Sequence, residues 1–189
     1  DAATLGNHDF DGGIDGLERQ LVHANFPIIS SNYDFSDTIM NGKSIPYKIF
    51  KKDGIKIGVF GLGIAFEGLV LKANYKNTLY LDPIAEGQKW ASFLRNEEKC
   101  DYVICLSHLG YKYPKEPNKI SDDILAKNTK EIDLIIGGHT HTFLDKPDRL
   151  QNLEGRPVIV TQVGWAGIVL GRLDVYFERN KKDACITCN

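Results

Sequence analysis

The chain has 189 residues and is 42% hydrophobic, which is enough for one substantial core and lies within the usual size of a single domain. Its 23 Lys and Arg against 25 Asp and Glu leave a net charge of -2, so there is no basic field to hold nucleic acid and no polybasic run for a membrane surface. No apolar run approaches the roughly 20 residues of a spanning helix, and the N-terminus lacks the basic-then-apolar signature of a signal peptide.

The first element is a corner, Leu5-Gly-Asn-His8-Asp-Phe-Asp11, that sets an Asn-His pair ahead of a helix. Asp1 to Leu5 enter it without the preceding half of a strand-loop unit, so the chain reads as N-terminally incomplete. Ile14, Leu17, Leu21 and Val22 then recur at helical spacing after Gly12 and Gly13, and Pro27 closes the segment, predicting a short amphipathic helix. Its free N-H groups and positive dipole end place Asn7 and His8 near a natural anion site. His23, late in that helix, reads as an ordinary surface histidine.

Pro27 to Tyr33 reads as a strand leading into polar loop. Ile45 to Phe50 and Ile55 to Leu62 form a hairpin pattern, since Asp53-Gly54 suits a tight turn with positive φ. Gly58, Gly61 and Gly63 miss the spacing of a dinucleotide loop, and no clean helix pattern follows them. Asp82-Pro83 is a helix start, with an acid at the N-cap and proline at the first position, and the helix runs to about Lys99. The strand Asp101 to Leu106 follows. Next come a proline-broken loop at Lys112 to Asn118, expected to border a cleft, and a short helix from Ser121. A strand from Asp133 and a polar loop at Asp145 to Gly155 come after it. Two β-type runs, Arg156 to Gly164 and Gly167 to Phe177, are separated by Trp165 and Ala166 and are expected to pair as a hairpin. Helices alternating with strands, then hairpins, favour sheets covered by helices over a purely parallel sheet.

Three of these corners carry the chemistry. Asp133-Leu-Ile-Ile-Gly-Gly-His-Thr-His-Thr142 is a short apolar run that stops at two glycines and delivers His139 and His141; if the segment stays extended, both project from one side. Tyr102 to Ser107 likewise runs into His108 and Gly110, and the Asn7-His8 corner is the third. Each alone reads equally well as a polar turn with a chance histidine. Together they hold four of the five histidines, and in open α/β sheets ligand sites collect beyond the carboxyl ends of strands. Imidazoles, an amide oxygen and nearby carboxylates suit borderline divalent metals. The four cysteines do not form a metal knuckle: Cys100 and Cys105 flank one strand, and Cys185-Ile-Thr-Cys188 is a single pair without a partner pair.

These motifs resemble a known family. GNHDFD at Gly6 to Asp11, SHLG at Ser107 to Gly110 and GGHTHT at Gly137 to Thr142 are similar to the calcineurin-like metallophosphoesterases, and Gln162 to Gly171 look most like the 5′-nucleotidase branch. The resemblance covers nearly the whole chain. It implies an α/β fold, a four-layer sandwich of two mixed β-sheets flanked by helices, with residues 1–189 a partial catalytic domain. It further implies two divalent metal ions, zinc, manganese or similar. Asn7, His108 and His139 would ligate one ion and His141 the other, while His8 would be the catalytic histidine and Asp11 its orienting acid.

The implied activity is hydrolysis of phosphate monoesters, 5′-nucleotides above all, by a hydroxide generated between the two metals. Alternatives are a 2′,3′-cyclic phosphodiesterase, a related sulfur-ester hydrolase, or a non-catalytic remnant of the fold. Two family motifs, an Asp-x-His on the first strand and a Gly-Asp loop, are absent from these residues. They would lie ahead of Asp1, and the family's nucleotide-binding domain would lie beyond Asn189. The fragment alone is therefore expected to be inactive. The family is usually exported, which makes the expected location extracytoplasmic.

Overall fold

The structure is a computed structural model, and it describes residues 1–177 together with the backbone of Cys185–Cys188. The side chains of the tail pair Cys185 and Cys188 lie outside the described residues. In chain order, a 3-10 turn at Asn7–Phe10 precedes helix α1 (Gly13–Leu21), and strands β1 (Tyr33–Asp34), β2 (Tyr47–Lys52) and β3 (Ile55–Leu62) follow. Then come α2 (Lys72–Tyr75), β4 (Leu79–Tyr80), α3 (Pro83–Ser92), a π-type turn at Phe93–Glu97 and β5 (Tyr102–Ser107). The last third holds α4 (Asp122–Asn128), β6 (Leu134–Ile136), β7 (Asp148–Gln151), β8 (Pro157–Thr161), β9 (Leu173–Tyr176) and β10 (Cys185–Cys188).

Six strands form one mixed sheet in the order β2-β3-β5-β6-β8-β7. The four inner strands are parallel and the two edges antiparallel, so β3, β5, β6 and β8 all end on the same side. Period-two alternation explains the two faces. Phe60, Leu62, Val103, Cys105, Ile135, Val158 and Val160 point to the face covered by α3 and α4, where Ala91, Leu94, Leu125 and Ala126 meet them. Each fully buried side chain of this size contributes about 1.5–3 kcal/mol. Tyr102, Leu134 and Ile159 point to the other face, against Leu173 and Val175 of β9 and Phe177 just after it. The chain is thus the expected layered α/β sandwich. Among the described residues, the sheet facing the main one is the antiparallel pair β9-β10, and β1 and β4 form a further antiparallel pair.

The N-terminal segment packs a separate aromatic core of Phe10, Tyr33, Phe35 and Phe66 with Leu5, Ile14 and Leu17. It docks at the carboxyl edge of β3, where Asn32 exchanges two hydrogen bonds with the backbone of Gly63 and Ser31 donates its N-H to Gly61. A Cβ at Gly61 would fall 2.2 Å from the carbonyl oxygen of Ile29. Close backbone approach is therefore the reason for glycine late in β3, and no ligand loop is needed to explain it.

Several expectations hold locally. The β2-β3 hairpin turns at Asp53 and Gly54, both with positive φ. Asp82 caps α3 by accepting from the Ala85 N-H at 2.7 Å, with Pro83 at the first position. Others are corrected. The hairpin expected between the runs around Trp165 does not form: β8 lies in the main sheet between β6 and β7, while β9 pairs with β10. The apolar run of β8 is buried on both faces, which an outer hairpin arm would not be. Residues 148–151 lie in the expected polar loop but form the edge strand β7, whose alternating exposure suits its polar composition. Residues 27–32 make only isolated bridges instead of a strand. Val22 lies past the end of α1 and is 77% exposed.

Candidate active site

The parallel strands bring the sequence corners together. His108 follows β5, His139 and His141 follow the neighbouring β6, and Gln162 follows β8, next along the sheet. The 3-10 turn brings Asn7 to the same edge, where its Oδ1 lies 3.0 Å from Nδ1 of His139. The rings of His108 and His139 stand edge to face with centroids 5.3 Å apart.

His108 is held sterically. A Cβ at Gly6 would lie 2.5 Å from its Nε2, and one at Gly138 would lie 3.0 Å from its Nδ1, so glycines of two different motifs form the walls of its slot. Its Nε2 is buried and has no hydrogen-bond partner. Burial, reinforced by His139, His8 and His141, pushes the His108 pKa down to about 4. Burial also lowers His139, with help from the nearby Lys119 ammonium and from His141 and His8. Both rings are therefore neutral near pH 7, the form that donates a lone pair to a metal.

His141 stands apart from this trio, its ring parallel to that of Trp165 with centroids 5.7 Å apart. The extended segment expected across the two histidines does not occur. His139 and His141 both have left-handed backbone, φ 73° and 54°, because the chain turns sharply after the two glycines. His8 lies outward, its Nδ1 2.9 Å from Oδ2 of Asp11, and both side chains are largely exposed, 76% and 68%. The cleft-bordering loop is confirmed by Tyr113, whose ring lies 6.5 Å from His139 and carries Lys119 over its face. His23 is exposed in the turn after α1.

A buried polar layer supports the corners. Asp122, at the start of α4, is wholly buried and accepts from the Ser107 hydroxyl, which in turn accepts the Leu109 N-H. Burial pushes its carboxyl up to about 7. Gln162 is also buried, with its amide against the loop that holds His139 and His141. Asp122 did not stand out in the sequence, and Gln162 did so only as the first residue of the stretch that resembles the 5′-nucleotidase branch. An acid in the first turn of a helix reads as a cap, and a glutamine within the β-type run Arg156 to Gly164 reads as a strand residue. The available signal was position, since Gln162 directly follows β8 as His108 follows β5 and Gly137 follows β6.

The donors present fit a divalent cation. An orphaned buried imidazole nitrogen, a neutral second imidazole and an amide oxygen converge, although among the described residues no three His, Cys, Asp or Glu side chains form a complete site by themselves. The family model described as calcineurin-like phosphoesterase matches residues 1–143.

The chain belongs to the calcineurin-like phosphoesterase family.

Relatives and solved structures place it further. It is 37% identical over 202 residues to a 5′-nucleotidase of Vibrio cholerae, covering 96% of this chain and 36% of that protein. It is 34% identical over 210 residues to a trifunctional nucleotide phosphoesterase of Bacillus subtilis, covering 94% of this chain and 14% of the relative. The structure of the NAD nucleotidase of Haemophilus influenzae superposes with a TM-score of 0.83 at 31% identity, over 98% of this chain and 34% of that one. This calcineurin-like chain therefore spans about a third or less of the length of these relatives.

Proposed function

We propose that the chain carries part of the metal centre of a phosphoesterase that releases phosphate from 5′-nucleotides. Asn7, His108 and His139 would hold one divalent ion, and His141 would contribute to a second. The observation that carries the reading is the buried Nε2 of His108, left without a partner in a slot walled by Gly6 and Gly138. A buried nitrogen lone pair with no donor costs free energy unless a ligand satisfies it. The nucleotide names of the relatives support the substrate class, and a snake venom 5′-nucleotidase, 33% identical over 94% of this chain, supports an extracytoplasmic setting.

When bound, such ions supply Lewis acidity and a water acidified toward about pKa 7. The chain's own residues do the rest. Asp11 lies 2.9 Å from Nδ1 of His8 and fixes the orientation of the ring. The exposed His8 ring would then meet the transferring phosphoryl group or pass a proton to the leaving alkoxide, a role worth about 10² to 10⁴ in rate. Lys119, close enough to depress His139, adds positive charge on the side where the anionic substrate arrives.

The test is to load the chain with Zn²⁺ or Mn²⁺ and compare His108→Ala with the wild type by metal analysis. Equal metal content in the two would remove His108 from the site. Phosphate release from AMP is expected only once the two missing motifs are supplied ahead of Asp1. Turnover above about 1 s⁻¹ by these 189 residues alone would show that they complete the site themselves.

A further inference from the structure

We propose that Gln162 is the positioning residue that sets His139 and His141 in their working geometry. The inference rests on the reading of these histidines as metal ligands.

Gln162 is 1% exposed and directly follows β8. Its backbone is pinned, since the carbonyl accepts the Leu144 N-H at 3.1 Å. Its amide then spans the loop. Nε2 donates to the carbonyl of Gly138 at 2.6 Å, while Oε1 accepts the Thr142 N-H at 2.5 Å and the Thr140 hydroxyl at 3.1 Å. The amide orientation follows from its partners, because a carbonyl only accepts and a backbone N-H only donates. The two anchored groups are the carbonyl just before His139 and the N-H just after His141.

Between those anchors both histidines hold left-handed backbone. Residues with side chains rarely adopt it, and they keep it only where the surroundings over-determine the conformation. Gln162 supplies that constraint from the neighbouring strand. Thr140 extends it to the His108 loop, since its Oγ1 accepts the Tyr111 N-H at 2.9 Å. The chemistry required is one donor and one acceptor a single amide apart. A hydrocarbon offers neither, and a carboxylate offers no donor to Gly138.

The experiment measures Zn²⁺ affinity of the chain by competition with a chromophoric chelator, and the melting temperature in EDTA. Gln162→Leu should bind Zn²⁺ about 10 to 100-fold more weakly, the range typical for loss of a partner behind a ligand. Val158→Ala, a cavity in the core beside the same strand, should lower the melting temperature and leave Zn²⁺ affinity unchanged. If Gln162→Leu melts below the assay temperature, Thr140→Val, which removes the bond to Oε1 together with the one from the Tyr111 N-H, takes its place with an expected several-fold loss. Wild-type affinity in whichever of these variants is folded overturns the positioning role alone. No saturable Zn²⁺ binding by the wild type overturns the metal reading itself.

Discussion

The imidazole of His108 fills the volume that any side chain at Gly6 would need, with ring atoms 2.5 to 2.7 Å from where a Cβ would stand. The backbone at Gly6, φ -113° and ψ -179°, is open to any residue, so the requirement for glycine there is purely steric. Gly6→Ala should displace His108, cost about 1–3 kcal/mol through overpacking and weaken Zn²⁺ binding at least several-fold. Gly155→Ala is the contrast. That glycine has φ 74° and open space around it, so the variant should lose stability through backbone strain with no change in Zn²⁺ affinity. Thermal melts and chelator competition on both variants separate the two effects.

Metal stoichiometry tests the ligand assignment. Three donors converge around His108 and His139, while His141 offers a single nitrogen beside Trp165. A lone imidazole does not hold an ion against water, so dialysed chain should retain about one Zn²⁺. Two tightly held ions per chain would show that other groups here complete the second site.

In a protein carrying the two opening motifs ahead of Asp1, the histidines should separate by role. His8→Asn removes the phosphate-side proton donor and should lower turnover by roughly 10² or more with metal content unchanged. His139→Asn should lose metal and activity together. Equal metal depletion in both variants would reverse the assignment of His8.

The pH dependence of metal-free stability follows from two buried groups with opposite signs. His108 is depressed to about 4, so between that value and about 6.5 the unfolded chain binds a proton that the folded chain refuses. Its contribution is present above about pH 6.5 and is lost as pH falls toward 4; His139, also lowered, acts the same way. Asp122 is raised to about 7, so the folded chain keeps a proton that the unfolded chain has released. Its contribution is present at low pH and is lost as pH rises through about 7. Asp122→Asn removes this second term. Its melting temperature in EDTA should therefore fall more steeply than the wild type's from pH 6.5 to 4.5, and should match or exceed the wild type above pH 7.5. Parallel pH curves would mean that Asp122 is ionised throughout.

Much of this was legible in the sequence because it depends on local chemistry. Asp82-Pro83 specifies a helix start by itself, Asp53-Gly54 specifies a turn, and the runs ending at Ser107 and Ile136 announce strands that deliver histidines. The family motifs pointed to Asn7, His8, His108, His139 and His141, of which the structure brings Asn7, His108 and His139 together. What was not legible depends on partners distant in the chain. The run from Arg156 joins the main sheet because β6 and β7 need it between them, whereas adjacency in sequence suggested Gly167 to Phe177 as its mate. Gly6 and Gly138 look like turn glycines until His108 is seen between them. Gln162 and Asp122 acquire meaning only through the loops they touch.

The Asn7 to His139 contact joins residues 132 positions apart, one in the N-terminal turn and one at the end of an inner strand. An ion gripped by both would act as a removable cross-link across that span, and a permanent link closing so large a loop is worth about 5 kcal/mol in chain entropy. The aromatic layer around Phe10 would then be fastened to the sheet when metal is plentiful and free to detach first when it is scarce. Protease nicking near Asn7 would thereby report on metal supply.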